Sequence, residues 1–277
     1  MPLEYIPENL DFEVGFEPTK VSDKKYVINQ TTGDYIGIVA NGFTCASHGD
    51  FFREVMQTTT DTLSDYEMQD AQIVWRDAHH NGWAMMDMTL PNVVAKVQTD
   101  KHETSVMKRI IALHGVNGTC SNITIFGAID SFCLNGQIIG RHDKVLRKNT
   151  SNFMLDNFIN ELEKSQQDFT AQAEQLQRWA NTSLMTVDVK ALLDKIMKSD
   201  VKSEKMFSLY NQEVGVRGRN LFALYSAFTN YASYADERNG FNLRRTGKDT
   251  QAVSMFQREL DVAKWVDMPE FKTLAAA

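Results

Sequence analysis

The chain has 277 residues, a formal net charge of −7, 43% hydrophobic and 23% charged residues. That length buries a core without disulfides or structural metal, and that composition excludes an intrinsically disordered chain. No run approaches the roughly 18 apolar residues of a membrane span, the acidic start MPLEYIPENLDFEV lacks the apolar stretch of a secretory signal, and Cys45, Cys120 and Cys133, without CxxC spacing, read as reduced thiols of a cytosol-like compartment.

Residues 1–33 are polar and turn-rich and are expected to form an irregular arm or an edge strand. From Asp34 the apolar run Tyr35-Ile-Gly-Ile-Val-Ala40 predicts a buried strand, and Asp50 caps a helical stretch bearing Phe51, Phe52, Val55 and Met56. Residues 71–78 alternate apolar and polar, Asn81-Gly82 supplies a hairpin turn, and the chain returns from Trp83. Residues 93–97, 108–113 and the Ile-rich run 121–140 complete about five to seven strands of typical length.

The character changes at Asn149-Thr150-Ser151, a helix cap signal. Apolar residues from Leu155 to Ala180 then recur near the 3.6 period, predicting one long amphipathic helix over 152–179, roughly 40 Å at ~1.5 Å per residue. Further helices are predicted over 187–198, 204–212, 220–234 and 250–266. The expected fold is α+β: a twisted, mainly antiparallel sheet over about residues 34–140, followed by a helical C-terminal half. The whole chain, 1–277, reads as one domain with an arm (1–33), a β-rich part (34–148) and a helical part (149–277).

Charge is distributed unevenly. Residues 1–140 hold 9 Lys+Arg against 18 Asp+Glu, whereas residues 141–277 hold 20 against 18. Anion-binding groups are therefore sought in the second half. Three basic clusters stand there: Arg141, Lys144, Arg147 and Lys148 where sheet passes to helix; Arg217 and Arg219 before the aromatic helix; and Arg244, Arg245 and Lys248, with Arg238, in a Gly- and Asn-rich loop after it. Cations in loops beside aromatics suit phosphate contacts and base stacking. The plain alternative is a solvated surface. The Phe222, Tyr225, Phe228 and Tyr231 stripe has helical spacing and is read as core before stacking platform.

Other patterns are weaker. Asp77, His79 and His80 with Asp87 across the hairpin suggest a metal site, against a polar tip facing water. Cys45 and His48 are close in sequence, but no third group orients them as a nucleophile and base. Gly247-Lys248 lacks both the upstream Gly and the following Ser or Thr of a phosphate loop, with Asn242 and Asp249 at those positions. No paired-carboxylate or hydrolase signature stands out, so no cofactor, metal or catalytic residue is assigned.

The order of segments resembles the DUF932 family of phage and plasmid proteins over roughly residues 34–270. Trp75 lies in the family's hairpin strand; His114-Gly-Val-Asn-Gly118 is similar to its "sHdGs" turn. Phe132-Cys133-Leu134-Asn135-Gly136 is similar to "vvCtNgl", a strand and turn of structural kind with Cys133 inward. Arg141-His142, Leu209-Tyr210-Asn211, Arg217 and residues 221–229 follow in family order. Two departures are visible: Asp130 stands where the family usually has Arg, and Val116-Asn117 replaces an aspartate. The resemblance implies a setting of phage or plasmid DNA metabolism in the host cytoplasm. A sheet backed by a long helix with a basic seam between is also similar in plan to ring-forming single-strand annealing proteins, an analogy of architecture. The expected function is single-stranded DNA binding that assists annealing or recombination. The protein would act as a homo-oligomer without cofactor or membrane, alongside host or phage replication and recombination proteins. The alternatives are a protein-interaction or anti-defence protein that works through its acidic front half, and a metal-dependent enzyme using Asp77, His79 and Asp87.

Overall fold

A computed structural model describes residues 5–130, 136–137, 144–147, 169–234 and 251–276. Its first three strands, β1 (Val14–Pro18), β2 (Lys24–Asn29) and β3 (Tyr35–Ala40), form a small antiparallel meander. Of the two expectations for residues 1–33, an irregular arm or an edge strand, the structure has strands: β1 forms an edge of this sheet and β2 its centre. Val14, Val27 and Val39 fall on one face and bury, with Phe43, a small core of their own. The short strands are separated by the polar turns 19–23 and 30–34, which hold Thr, Asp, Ser and Gly and hid the alternation.

Two helices follow, α1 (His48–Thr62) and α2 (Asp65–Met68). Ser47, in place of the expected Asp50, caps α1 by accepting from the Asp50 amide at 3.0 Å, and Ser64 with Glu67 forms a capping box at α2. The second sheet contains β4 (Gln72–Ala78), β5 (Trp83–Gln98), β6 (Glu103–Gly115), β7 (Asn122–Asp130), β8 (Gly136–Gln137) and β9 (Lys144–Arg147). Its order is β4-β5-β6-β7-β8, with β9 also on β7, and every pairing is antiparallel. The segments expected at 83–90 and 93–97 are one strand, β5, whose register shifts between Leu90 and Val94, the stretch that contains Pro91. Proline cannot donate to a ladder, so the irregularity sits where the sequence requires it.

Both faces of this sheet are covered. Ala84, Met86 and Met88 of β5, Ile110 and Ala112 of β6 and Phe126 of β7 bury against Phe51, Phe52, Val55 and Met56 of α1. Met85, Ile111, Leu113, Ile123 and Ile125 point the other way. That second face receives Phe256, Leu260 and Ala263 from the helix Gln251–Asp267. Coverage on both sides explains why residues 110–113 read as a continuous apolar run.

The helical half comprises α3 (Phe169–Asn181), α4 (Val189–Met197), α5 (Asp200–Arg217), α6 (Leu221–Tyr234), α7 (Gln251–Asp267) and α8 (Pro269–Ala275). Only the end of the predicted long helix, α3, lies within the described residues; its start at 152–168 lies outside them. Helix α6 is apolar around its circumference because it is central: Leu221 through Thr229 are all buried. It packs against Leu176 and Trp179 of α3, Leu209 and Tyr210 of α5, Val262 and Val266 of α7 and Phe271 of α8. The fold class is α+β as read, with antiparallel sheets in front and helices behind, although the front holds two sheets in place of one. No helix among the described residues is long and apolar enough to cross a membrane.

Candidate functional site

Among the described residues, the turn between β4 and β5 holds the longest run of left-handed non-glycine backbone. His79, His80 and Asn81 have φ of 56°, 53° and 61°, three successive non-glycine residues in the left-handed region. Such a conformation costs on the order of 1–2 kcal/mol per residue, somewhat less for Asn and His, whose side chains tolerate it better. It persists only where surrounding structure determines it. Gly82, the glycine of the expected Asn-Gly turn, is required for space: a Cβ there would lie 2.5 Å from the Asn117 amide nitrogen and 2.9 Å from the His79 carbonyl.

The determining structure comes from three directions. Asn9 donates to Asp77 at 3.1 Å and to the Asn81 side chain at 3.3 Å. The Val116 amide donates to the Gly82 carbonyl at 2.9 Å. From below, His48 Nε2 lies 2.8 Å from the Asn81 carbonyl oxygen, and His48 Nδ1 lies 2.8 Å from His114 Nδ1. A carbonyl only accepts, so His48 donates through Nε2 and accepts through Nδ1. His114 therefore donates through Nδ1, and its Nε2 is left as a buried acceptor without a hydrogen-bond partner among the described residues. Both rings are fully buried; Phe51 stacks on His114 at 4.5 Å, and Phe12 meets His48 edge-on at 5.7 Å. Burial pushes His48 down to about 4, against the opposing pull of the Asn81 carbonyl. Burial, and then His48, pushes His114 well below the usual imidazole range. Both are neutral at physiological pH, as their hydrogen bonds require.

His114 opens the turn His114-Gly-Val-Asn-Gly118, and each part of that turn has a mechanical role. Asn117 accepts from Thr119, which in turn accepts from the Trp83 indole at 2.6 Å. Gly118 has φ of 76°, and a Cβ there would lie 2.9 Å from Val39. The turn is thus wedged between the small sheet and the hairpin.

Above it opens a groove of about 710 Å³. Asn29, Asp34, Tyr35 and Ile36 form one wall, Asp77, His80 and Asn81 the other, and Phe12 also lines it. Asp34 accepts from Thr32 and Asp77 from Asn9; neither is ion-paired with a described residue.

The basic residues fare differently from one another. Arg217 is fully buried: it donates to Glu213 at 2.9 Å and lies 2.7 Å from Asp130, with its guanidinium 5.0 Å from the Phe222 ring. A guanidinium so committed has no surface to offer a phosphate, and the expectation for Arg217 is corrected accordingly. Its pairing also supplies the physical counterpart of the departure at Asp130, whose other oxygen accepts from Thr104 at 2.8 Å. Arg219 is exposed, beside the Val187 carbonyl at 3.4 Å. Lys144 and Arg147 fall on β9, opposite Ile125 and Asn122 of β7. Arg141, Lys148, Arg238, Arg244, Arg245 and Lys248 lie outside the described residues, as does Cys133. The aromatic stripe is core: Phe222, Tyr225 and Phe228 are fully buried and Tyr231 nearly so.

The metal reading fails on register. Asp77 pairs with Ala84 and Asp87 with Val74, which puts the two carboxylates on opposite faces of the sheet. Asp87 instead accepts a bidentate pair from Arg109 at 2.7 and 2.8 Å and a further bond from Arg76 at 3.2 Å. Burial would raise its carboxyl, but Arg109 and Arg76 outweigh burial and hold it below the usual range. Among the described residues no group of three or more His, Cys, Asp or Glu could hold a metal. The Cys45 thiol, pushed up to about 12 by burial, is an unreactive small residue, and His48 turns to His114.

Sequence reasoning missed both the His48–His114 pair and the buried Arg109. A polar His114 on the same face of β6 as Ile110 and Ala112 was the available signal. Its partner lies 66 residues away, and no spacing rule connects them.

Residues 35–258 match the family model described as Domain of unknown function (DUF932), and the chain belongs to that family. No curated protein and no solved structure matches it significantly.

Proposed function

For this DUF932 member we propose that the protein binds single-stranded DNA and assists strand annealing or recombination in a phage or plasmid setting, acting as a homo-oligomer in the host cytoplasm. The observation that carries the reading is the position of β9. Within the basic segment of the sequence, Lys144 and Arg147 fall on β9, which among the described strands pairs with β7 alone. Cations carried on a sheet strand suit phosphate contacts, which supply affinity without base readout. Arg219, Arg141, Lys148, Arg244, Arg245 and Lys248 are the further candidates for phosphate contacts. With the aromatic stripe buried, phosphate contacts supply the affinity and sequence preference is weak.

The test is fluorescence anisotropy with a labelled single strand of ~40 nucleotides at low salt and at ~200 mM, where affinity should fall by orders of magnitude. K144A/R147A should flatten the slope of log affinity against log salt by about 1.4, two phosphates at ~0.7 each. An absence of binding at low salt refutes the proposal. Annealing of complementary strands and sedimentation then test the finer activity and the oligomer.

A further inference from the structure

The groove beside the hairpin tip has no part in DNA binding, because it is acidic and lies in the half with 9 Lys+Arg against 18 Asp+Glu. We propose that it is a second, separate binding site, for an arginine-bearing segment of a partner protein. Four features of the groove fit that occupant.

First, its two carboxylates stand on opposite walls, Asp34 at the start of β3 and Asp77 on β4, and hold only neutral donors, Thr32 and Asn9. Among the described residues that line the groove none is Lys or Arg. A guanidinium brings the planar donors that such carboxylates accept. Second, Phe12 and Tyr35 line the same space, and aromatic faces take a guanidinium better than an ammonium. Third, Tyr35 is 62% exposed and Ile38, on the same strand, 57% exposed, which offers apolar contact to residues flanking the arginine. Fourth, the Asp77 wall is rigid. The left-handed turn is fixed by Asn9, Val116 and the buried histidine pair, so little ordering entropy opposes binding. At about 710 Å³ the groove takes one arginine with part of its neighbours, which suits an extended peptide.

The experiment uses the full chain and fluorescein-labelled hexa-arginine, with hexa-lysine and hexa-glutamate as comparisons, read by anisotropy. Hexa-arginine should bind most tightly and hexa-glutamate not at all. D34N/D77N, which retains an acceptor oxygen at both positions, should weaken hexa-arginine at least tenfold. D61N/D70N removes two exposed acids away from the groove and should leave binding within twofold. Y35A should weaken it several-fold while the melting temperature of each variant stays at the parent value. Equal losses in D34N/D77N and D61N/D70N would overturn the proposal in favour of a diffuse acidic field. Equal affinity for hexa-lysine would overturn the arginine assignment. Self-association that D34N/D77N abolishes would overturn the foreign partner and make a second copy the occupant. DNA affinity should be unchanged in D34N/D77N, so failure here and failure of the DNA reading are distinguishable.

Discussion

Replacing Arg109 by Met removes the one cation that, among the described residues, pairs the main sheet with α7. In the parent, Arg109 donates twice to Asp87 and once to Glu259 at 2.8 Å, with both Arg109 and Glu259 almost wholly buried. Met fills most of the space of the side chain but leaves Glu259 buried without its only ion-pair partner among the described residues. Asp87 retains Arg76 at 3.2 Å and suffers less. Removing one partner of a buried pair costs about 3–5 kcal/mol, which for a chain of this size is a fall of roughly 6–20 °C in melting temperature. Chemical denaturation at pH 7 with thermal melting measures it. The loss should shrink as the pH falls to 5, because an unpaired buried carboxyl has a raised pKa in the folded state and is relieved by protonation. R109M/E259L/D87L removes the stranded charges along with their partner and should recover most of the stability. If R109M costs less than about 1 kcal/mol, or if the triple variant is worse than the single, the account of the cluster is wrong.

The histidine pair predicts acid sensitivity. An imidazole lowered in the folded state from its ordinary 6.5 to about 4, as His48 is, is neutral in both states at pH 7 and protonated first in the unfolded chain. Stability is therefore intact above pH 6.5 and lost as the pH falls toward 4, by about 3 kcal/mol for His48, and by more with His114. Urea titrations at pH 7, 5.5 and 4.5 follow this, and H48Q should lose less over the same range; an equal loss would exclude the pair as its source. Gly82→Ala places a methyl 2.5 Å from Asn117. It should destabilise by about 1–3 kcal/mol through forced displacement of that side chain, and a melt unchanged from the parent would show that the turn yields freely.

Local physics made much of the fold legible. Alternation in residues 71–78 and the Asn-Gly turn located the β4–β5 hairpin, because that signal comes from which face each side chain presents, and the helices predicted over 187–198 and 220–234 coincide with α4 and α6. The same reasoning placed Tyr225 and Phe228 in the core. It saw one sheet in place of two because short strands between polar turns carry little periodic signal. The register of β4 on β5 lay beyond it, and a shift of one residue separates a shared face from opposite faces; that decided against Asp77 and Asp87 acting together. The commitments of individual charges were also tertiary. Arg217 and Arg219 are two residues apart in one basic cluster, yet one is buried on Asp130 and Glu213 and the other is exposed. Helix α5 ends at Arg217, turning its side chain inward, and the chain that continues past Gly218 leaves Arg219 outside. Composition and order in the sequence thus determined the class of fold and the family. Which polar groups meet, His48 with His114 and Arg109 with Glu259, was decided only in three dimensions, because each pair joins elements that no local rule relates and is held in place by the burial around it.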